Sequence, residues 1–476
     1  MIFMVGATKG LVVVLALIIV SVAFVHPMTG LTIAVFANTS LQVLGSSHII
    51  GAPASLSKIF GAVTVGALIL HMAYAKWKIT ASPIYIPILA FLVVVFAWDT
   101  QVANPETGFF EGTIRLFLMI LLCTTVATFA GQSQRKLDQT VLAFIFAISL
   151  TGIIGLAEHF LPSLALKSDD PRLAQGAIGG IIDAESLTGV VIKRITGGIG
   201  DANWLSYTIA MAVPLLIYGW HRWTSFWSRS LILSLGGLQL IALVLSYTRT
   251  GFMGLAVAFV YLLLRRVLPL RPVMAIIVMG LAMSMVYLPP GFMDRMFSSK
   301  YLKEGSTPIR RLYFEYAVEI WKDQPVFGYG YKGFGINFYN RVMATSPDSH
   351  RLAWWQDDLE NSVVDGRELV SNIGAHNLEL ELLIEYGLLG AFLYFSIFWV
   401  AFSEMRKVMV RGPPHLRILA IAISAGLLAF LTCGFLGHAK YLKFLWLLFG
   451  LAMAVRRVSL VGDSPTRSLF EGMIGR

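Results

Sequence analysis

The sequence predicts an all-α polytopic membrane protein with a long external cap loop between its tenth and eleventh spans. Three observations predict that class. Charged residues make up 13% of the 476-residue chain and hydrophobic ones 57%, whereas soluble domains carry roughly 25% charge; the mean hydropathy is +0.73. Apolar runs recur at the length needed to cross a hydrocarbon core about 30 Å thick, which takes about 20 residues. Strand-sized alternation is missing, so helices rather than a barrel must satisfy the backbone in lipid.

In chain order, apolar spans fall near residues 11–25, 28–45, 56–75, 83–98, 113–130, 138–161, 203–220, 229–247, 251–268, 272–289, 377–402, 417–437 and 440–455. The first two are short and read equally as half-helices or a re-entrant pair. The count is therefore about 12–14 by length, and the side of the N-terminus stays open. MIFMVGATKG followed by LVVVLALIIVSVAFV has one lysine and an apolar core, but no small-residue cleavage site precedes HPMTG. A retained first helix is expected. The chain divides into N-terminal spans (1–161), an external loop (162–202), central spans (203–290), a long external loop (291–375), and C-terminal spans with a cytoplasmic tail (376–476).

The connections orient the spans. AKWK (75–78), QRK (134–136), 221–229, RRVLPLR (265–271), 405–417 and the stretch from RRVSL onward are basic. They alternate with 99–112, 162–202, SYTRTG (246–251), 290–375 and GHAK (437–440), which are acidic, neutral or long. The positive-inside rule assigns the basic set to the cytoplasm, and the C-terminus with it. The formal charge of +10 follows from that rule. No basic block with interleaved aromatics points to nucleic acid.

Two long segments then lie outside. Residues 162–202 hold four basic and five acidic residues, and 291–375 hold ten and eleven. The second includes Trp354, Trp355 and DQPVFGYGYKGFG, enough apolar and aromatic material for a small cap, with a helix expected over 309–321. Cys123 and Cys433 lie inside apolar runs and read as packing residues. No repeat of 20 to 50 residues is visible, which weakens an inverted-repeat transporter.

Several residues can carry chemistry. Arg249 sits in SYTRTG with almost no loop to carry it into solvent. It is either an interfacial snorkelling arginine or a cation that grips a phosphate bidentately. In RITGGIGDANW (194–204), Arg194 stands beside a glycine turn, and Asp201 and Asn203 can cap the following helix. An arginine beside a helix N-terminus is a ready anion site. FGYGYKGFG contains a literal G-x-G-x-x-G at Gly328, Gly330 and Gly333. It lacks the surrounding strand–helix–strand unit and reads as a turn-rich loop shaping a cleft.

GAHNLELELLIEYGLLG (374–390) opens an apolar run with His376, Asn377, Glu379, Glu381 and Glu385. Asn377 can cap the helix, and acids in its first turns suit the dipole. His376 is either structural or a base, its ordinary pKa near 6.5 suiting proton transfer; three residues from Glu379, it would share a helix face with it. Glu385 is expected to pair with a buried arginine or hydroxyl. No D-x-D, H-E-x-x-H or Walker A pattern appears.

Taken together and in order, 194–215, SYTRTGFMGLAVAFV (246–260), 309–335 and AHNLELELLIEYGLLGAFLYF (375–395) resemble the O-antigen ligase/polymerase superfamily of bacterial inner-membrane glycosyltransferases. The resemblance covers residues 190–400. It implies a glycan donor on undecaprenyl diphosphate at the periplasmic face. The glycan would pass to lipid A core, a growing glycan or a protein hydroxyl, with neither nucleotide nor metal. Carried over by motif, Arg194 and Arg249 would hold the diphosphate. Arg311 or its neighbour Arg310 would complete the site, His376 would orient or deprotonate the acceptor, and Asn203 and Asn377 join the substrate-binding candidates. Where the family often has Pro-Asn, this chain has Ala202-Asn203, which bears on the start of that span rather than on its charge.

Polymerisation of O-antigen or exopolysaccharide is slightly favoured over ligation to lipid A core. The runner-up, a glycan transporter or lipid flippase, would need ionisable residues mid-span, whereas the notable ones here cluster at external helix ends. A structural membrane scaffold would not call for Arg194, Arg249 and His376 on one side.

Overall fold

The computed structural model describes residues 26–40, 56–75, 78–100, 108–161, 181–185, 191–268, 306–344, 374–437 and 439–462, with a few isolated positions between them. The expected spans at 11–25 and 272–289, and Trp354 and Trp355, lie outside these residues or almost wholly so.

The described chain is helical apart from one antiparallel hairpin, β1 (Ile181–Glu185) and β2 (Val191–Lys193), in the 162–202 connection. The N-terminal helices are α1 (Pro27–Ser40), α2 (Leu56–Ala75) and α3 (Tyr85–Asp99). A π-helical segment, Gly108–Ile114, runs into α4 (Arg115–Ala130), followed by α5 (Gln134–Phe160). The centre holds α6 (Ala202–Arg222), α7 (Phe226–Leu245) and α8 (Arg249–Leu264). The cap contributes α9 (Ser306–Asp323) and α10 (Gly333–Ala344), and the chain closes with α11 (Leu378–Arg411), α12 (Pro414–Phe435) and α13 (Lys443–Gly462).

Six described helices are long and apolar enough to cross a membrane: Gly108–Ala130, Gln134–Phe160, Phe226–Leu245, Leu378–Arg411, Pro414–Phe435 and Lys443–Val461. Their exterior carries exposed apolar side chains such as Trp227, Phe392 and Trp399, while Trp446, Phe430, Phe444 and Phe449 are fully buried. Small residues bring backbones together at the centre, as interhelical packing in lipid favours. A Cβ on Gly426 would lie 2.6 Å from the Met211 carbonyl oxygen, joining α12 to α6, and one on Gly254 would lie 2.5 Å from Cys433 Sγ, joining α8 to α12. Both cysteines are buried packing residues with free thiols.

The two sets of connections separate in space. At one end Arg457 donates to Thr80 Oγ1 at 2.8 Å, Arg222 pairs with Asp138 at 2.9 Å, and His415 meets Gln134 at 3.0 Å. Connections around Lys78, Gln134, Arg222, His415 and Arg457 are thus neighbours in space. At the other end lie Asp99, Glu158, 194–201, 246–249, 435–437 and 439–441, linked by the contacts described below.

The cap begins with α9 as expected. Its buried residues Tyr313, Ala317 and Ile320 are spaced four and three apart, and those of α10, Phe334, Phe338 and Val342, four apart. Each spacing places one apolar stripe on one helix face. The stripes meet each other and Ala375, Leu380 and Ile384 at the head of α11, with Tyr313 edge-on to Phe338 at 5.2 Å.

The cap is locked to the bundle through a break in α11. Gly387 takes φ 64°, ψ −168°, a region essentially restricted to glycine. An unbroken helix would pair the Ile384 and Glu385 carbonyls with the Leu388 and Leu389 amides. Instead, Tyr329 N donates to Ile384 O and Gly330 N to Glu385 O, both at 2.7 Å. Leu388 N donates to Pro325 O at 2.9 Å and Leu389 N to Val326 O at 3.5 Å. The glycine loop of the cap therefore inserts its own backbone into the gap. A Cβ on Gly387 would lie 2.0 Å from the Val326 carbonyl oxygen.

Gly387→Ala is expected to lower the unfolding temperature of the detergent-purified protein sharply, through the φ penalty of about 1–2 kcal/mol and the backbone clash. Gly237→Ala is the control, because a Cβ there meets nothing within 4 Å. Equal unfolding temperatures for the two variants would show that the break does not hold the cap.

Candidate active site at the non-basic end of the bundle

The site grows from the starts of α6, α8 and α11. Asp201, in extended backbone, caps α6 by accepting from Asn203 N and Trp204 N. Asn203, expected as a second cap, does something else: its Oδ1 accepts from Arg194 Nη2 at 3.0 Å. The same nitrogen donates to Thr248 Oγ1 at 2.7 Å, and Arg194 Nε donates to Ser246 O at 2.9 Å. Arg194 is 5% exposed. It ties the chain before α6 to the turn that ends at Arg249, and Ile195 N adds a bond to Leu245 O at 3.3 Å. Tyr247 enters the turn with φ 50°, and Arg249 follows as the first residue of α8.

The amides of the glycine turn after Arg194 are taken up within the protein. Glu158 at the end of α5 occupies that turn. Its carboxylate accepts from Thr196 N at 2.8 Å, Gly197 N at 3.0 Å and Gly198 N at 3.2 Å, and from the Thr196 hydroxyl. Nothing in the sequence marked Glu158, which lies 38 residues upstream of Thr196.

In the second turn of α6, Tyr207 is buried and feels the charges of Asp201 and Arg310. Its hydroxyl faces Gly437, where a Cβ would sit 2.0 Å away. Arg310 on α9 donates to Leu436 O at 3.4 Å. Its neighbour Arg311 stands on the outer face of the same helix, its side chain 78% exposed, and pairs with Glu315 at 3.0 Å. Of the two arginines, Arg310 is therefore the one turned toward the bundle.

His376 lies outside α11, two residues before it starts, with φ 50°. It consequently shares no helix face with Glu379, contrary to the spacing argument. The His376 ring stacks on Tyr313 with centroids 5.6 Å apart and 14° between planes. Burial raises the pKa of that phenol, so the stacking partner is uncharged at neutral pH. Asn377 caps the helix as expected, accepting from Leu380 N at 2.8 Å, and its amide donates to Phe435 O at 2.8 Å. Asn377 and Arg310 thus hold adjacent carbonyls at the end of α12.

The contacts join the candidates into one region. Arg194, Asn203 and the Thr248–Arg249 turn form one half. His376, Asn377, Tyr313 and Arg310 form the other, and Tyr207 and the 435–437 strand of backbone lie between them.

A second polar cluster lies one to two turns further along α11. Lys440 pairs with Glu385 and, at 3.1 Å, with Glu381. Glu385 was expected to meet an arginine or a hydroxyl; a lysine from the GHAK loop fills that role. The Lys440 ammonium also lies 5.1–5.7 Å from the ring centroids of Tyr331, Tyr386 and Tyr441. Burial alone would lower the pKa of Lys440, but the two carboxylates outweigh it and hold the pKa well above the usual value. Asp99 accepts from Tyr331 N at 3.2 Å, Tyr386 Oη at 3.3 Å and Thr113 Oγ1 at 3.1 Å. Among the described residues, no group of three or more His, Cys, Asp or Glu is arranged to hold a metal ion.

No curated protein matches the chain. Residues 235–395 match the family model described as O-antigen ligase. That stretch runs from the middle of α7, through Arg249, the cap and His376, to the far side of the α11 break. That match supports the resemblance of the chain to the O-antigen ligase/polymerase superfamily.

Proposed function

We propose that the protein is a metal-independent glycosyltransferase that moves a glycan from undecaprenyl diphosphate to a hydroxyl acceptor at the periplasmic face of the bacterial inner membrane. The observation that carries this reading is the gathering of Arg194, Asn203, the Arg249 turn, Arg310, His376 and Asn377 at the bundle end opposite the basic connections. The positive-inside rule assigns that end to the periplasm. A lipid-borne diphosphate and a hydrophilic sugar meet at just such a boundary.

The roles divide by hydrogen bonding. Arg194 is bonded to Ser246, Thr248 and Asn203, so it sets the position of the turn that presents Arg249. Arg249 opens α8, where its guanidinium and the helix N-terminus together favour an anion. Arg310 completes the cationic side. The acceptor oxygen attacks the anomeric carbon, and the bond from that carbon to the phosphate oxygen breaks. Undecaprenyl diphosphate departs with the bonding electron pair, and the hydroxyl proton passes to His376. Fixed cations match the growing charge on the leaving group in a site of low dielectric, the largest single source of catalysis in such reactions. In-line placement of one hydroxyl supplies much of the rest.

Four outcomes are expected with purified protein and lipid-linked repeat units, offered with and without lipid A core. Elongated glycan without the core marks a polymerase, and product that requires the core marks a ligase. Arg249→Lys loses the bidentate grip and should cut product formation by about 10²-fold or more while insertion is unchanged; normal turnover would remove the phosphate clamp. His376→Ala should lower kcat by about 10²–10⁴-fold with little change in donor affinity, and the opposite pattern, weaker binding at unchanged kcat, would rule it out as the base. Arg310→Ala should impair transfer whereas Arg311→Ala leaves it intact; reversal of that order would reassign the cap arginine. Chelators should leave activity unchanged, and activity lost to chelator and restored by Mg²⁺ or Mn²⁺ would contradict metal-independent transfer.

A further inference from the structure

The ion cluster behind the site has no part in the reaction just described, yet its geometry ties three elements of that site together. Resting on the proposed transfer reaction, we infer that Lys440 is a positioning residue for it. Clamped by Glu381 and Glu385, Lys440 anchors residues 439–442, close in sequence to the Phe435 and Leu436 carbonyls that hold Asn377 and Arg310.

The connection between α12 and α13 is short, and its two ends do different work. At one end Phe435 O and Leu436 O accept from Asn377 and Arg310. Gly437 packs against the Tyr207 hydroxyl. At the other end Lys440 is 5% exposed and bridges both carboxylates. Glu385 is bound on both oxygens: Oε2 faces Lys440, and Oε1 accepts from Lys332 N of the cap loop at 3.0 Å. The Glu385 main-chain carbonyl accepts from Gly330 N. One residue of α11 therefore joins the α12–α13 connection to the cap.

The tyrosine faces around the ammonium are contributed by the cap loop (Tyr331), α11 (Tyr386) and the connection itself (Tyr441). Rings of this kind attract a desolvated cation through their quadrupole. Movement of Lys440 would thus be felt in all three elements at once. The carbonyls at 435 and 436 would shift, and with them Arg310 and the Asn377–His376 segment. A displacement of 1 Å in a catalytic group can cost about 10²-fold in rate.

The test compares Lys440→Met with the triple substitution Glu381→Gln, Glu385→Gln, Lys440→Met. Removing one partner of a buried ion cluster leaves uncompensated charge, whereas replacing the whole set by neutral groups of similar shape restores stability in many proteins. Lys440→Met should lower kcat by about 10²-fold. The triple variant should recover a cooperative unfolding transition near the wild-type temperature yet keep the low kcat, because no ammonium then holds the connection. Should Lys440→Met fail to fold, the triple variant alone decides the matter. Wild-type kcat in the triple variant, or in a folded Lys440→Met, overturns the inference. Arg249→Lys is assayed alongside: if it is fully active, the transfer mechanism itself is at fault, and if it is inactive while the Lys440 variants are active, only the positioning role fails.

Discussion

The break in α11 at Gly387 is the constraint on which the rest of the molecule depends. A helix interrupted near lipid leaves carbonyls and amides that water cannot reach, each costing several kcal/mol if left unpaired. The backbone of residues 325–330 answers that need bond for bond. The cap is therefore held both by its apolar contacts with the head of α11 and by the hydrogen bonds that the break leaves open. That explains why the glycine loop resembles a nucleotide-binding pattern without being one: Gly328 and Gly330 serve close backbone approach and positive φ, not a phosphate.

Once the loop is seated, the polar residues at the head of α11 fall into a hierarchy. Asn377 closes the helix start and reaches the end of α12. His376 is held outside the helix by a left-handed backbone and a stacked tyrosine. Glu381 and Glu385 are turned toward Lys440. The polar head of the helix is thus not one feature but three: a cap, a half-buried stacked ring, and a buried ion cluster. Glu379 and Glu381 also lie in the first turn, where acids suit the helix dipole.

The first half of the site shows a different economy. Arg194 and the glycine turn look from the sequence like a single anion-binding unit, but the fold separates them. Glu158 fills the turn, and Arg194 spends its donors on Asn203, Ser246 and Thr248. Both contacts are strong because they are charge-assisted, and both serve to fix the turn leading to Arg249. In the proposed reaction, Arg194 sets the position of the turn that presents Arg249.

The sequence by itself determined the helical class, the positions of most described helices and the order of the motifs. Hydropathy, helical spacing and loop charge are local quantities, so α2 matches its expected span residue for residue and α9 encloses its predicted core. The candidate arginines, His376 and Asn377 were legible because arginine at a helix end and histidine before an apolar run are unusual on their own. What only the tertiary structure decided were the partners. Glu158, Tyr207 and Lys440 lie in ordinary-looking helical or loop sequence, and their roles arise from groups 38 to 55 residues away or more. Arg310 was separated from Arg311 by which face of α9 packs inward. Pairing across such distances depends on how helices cross, and no single stretch of residues encodes a crossing.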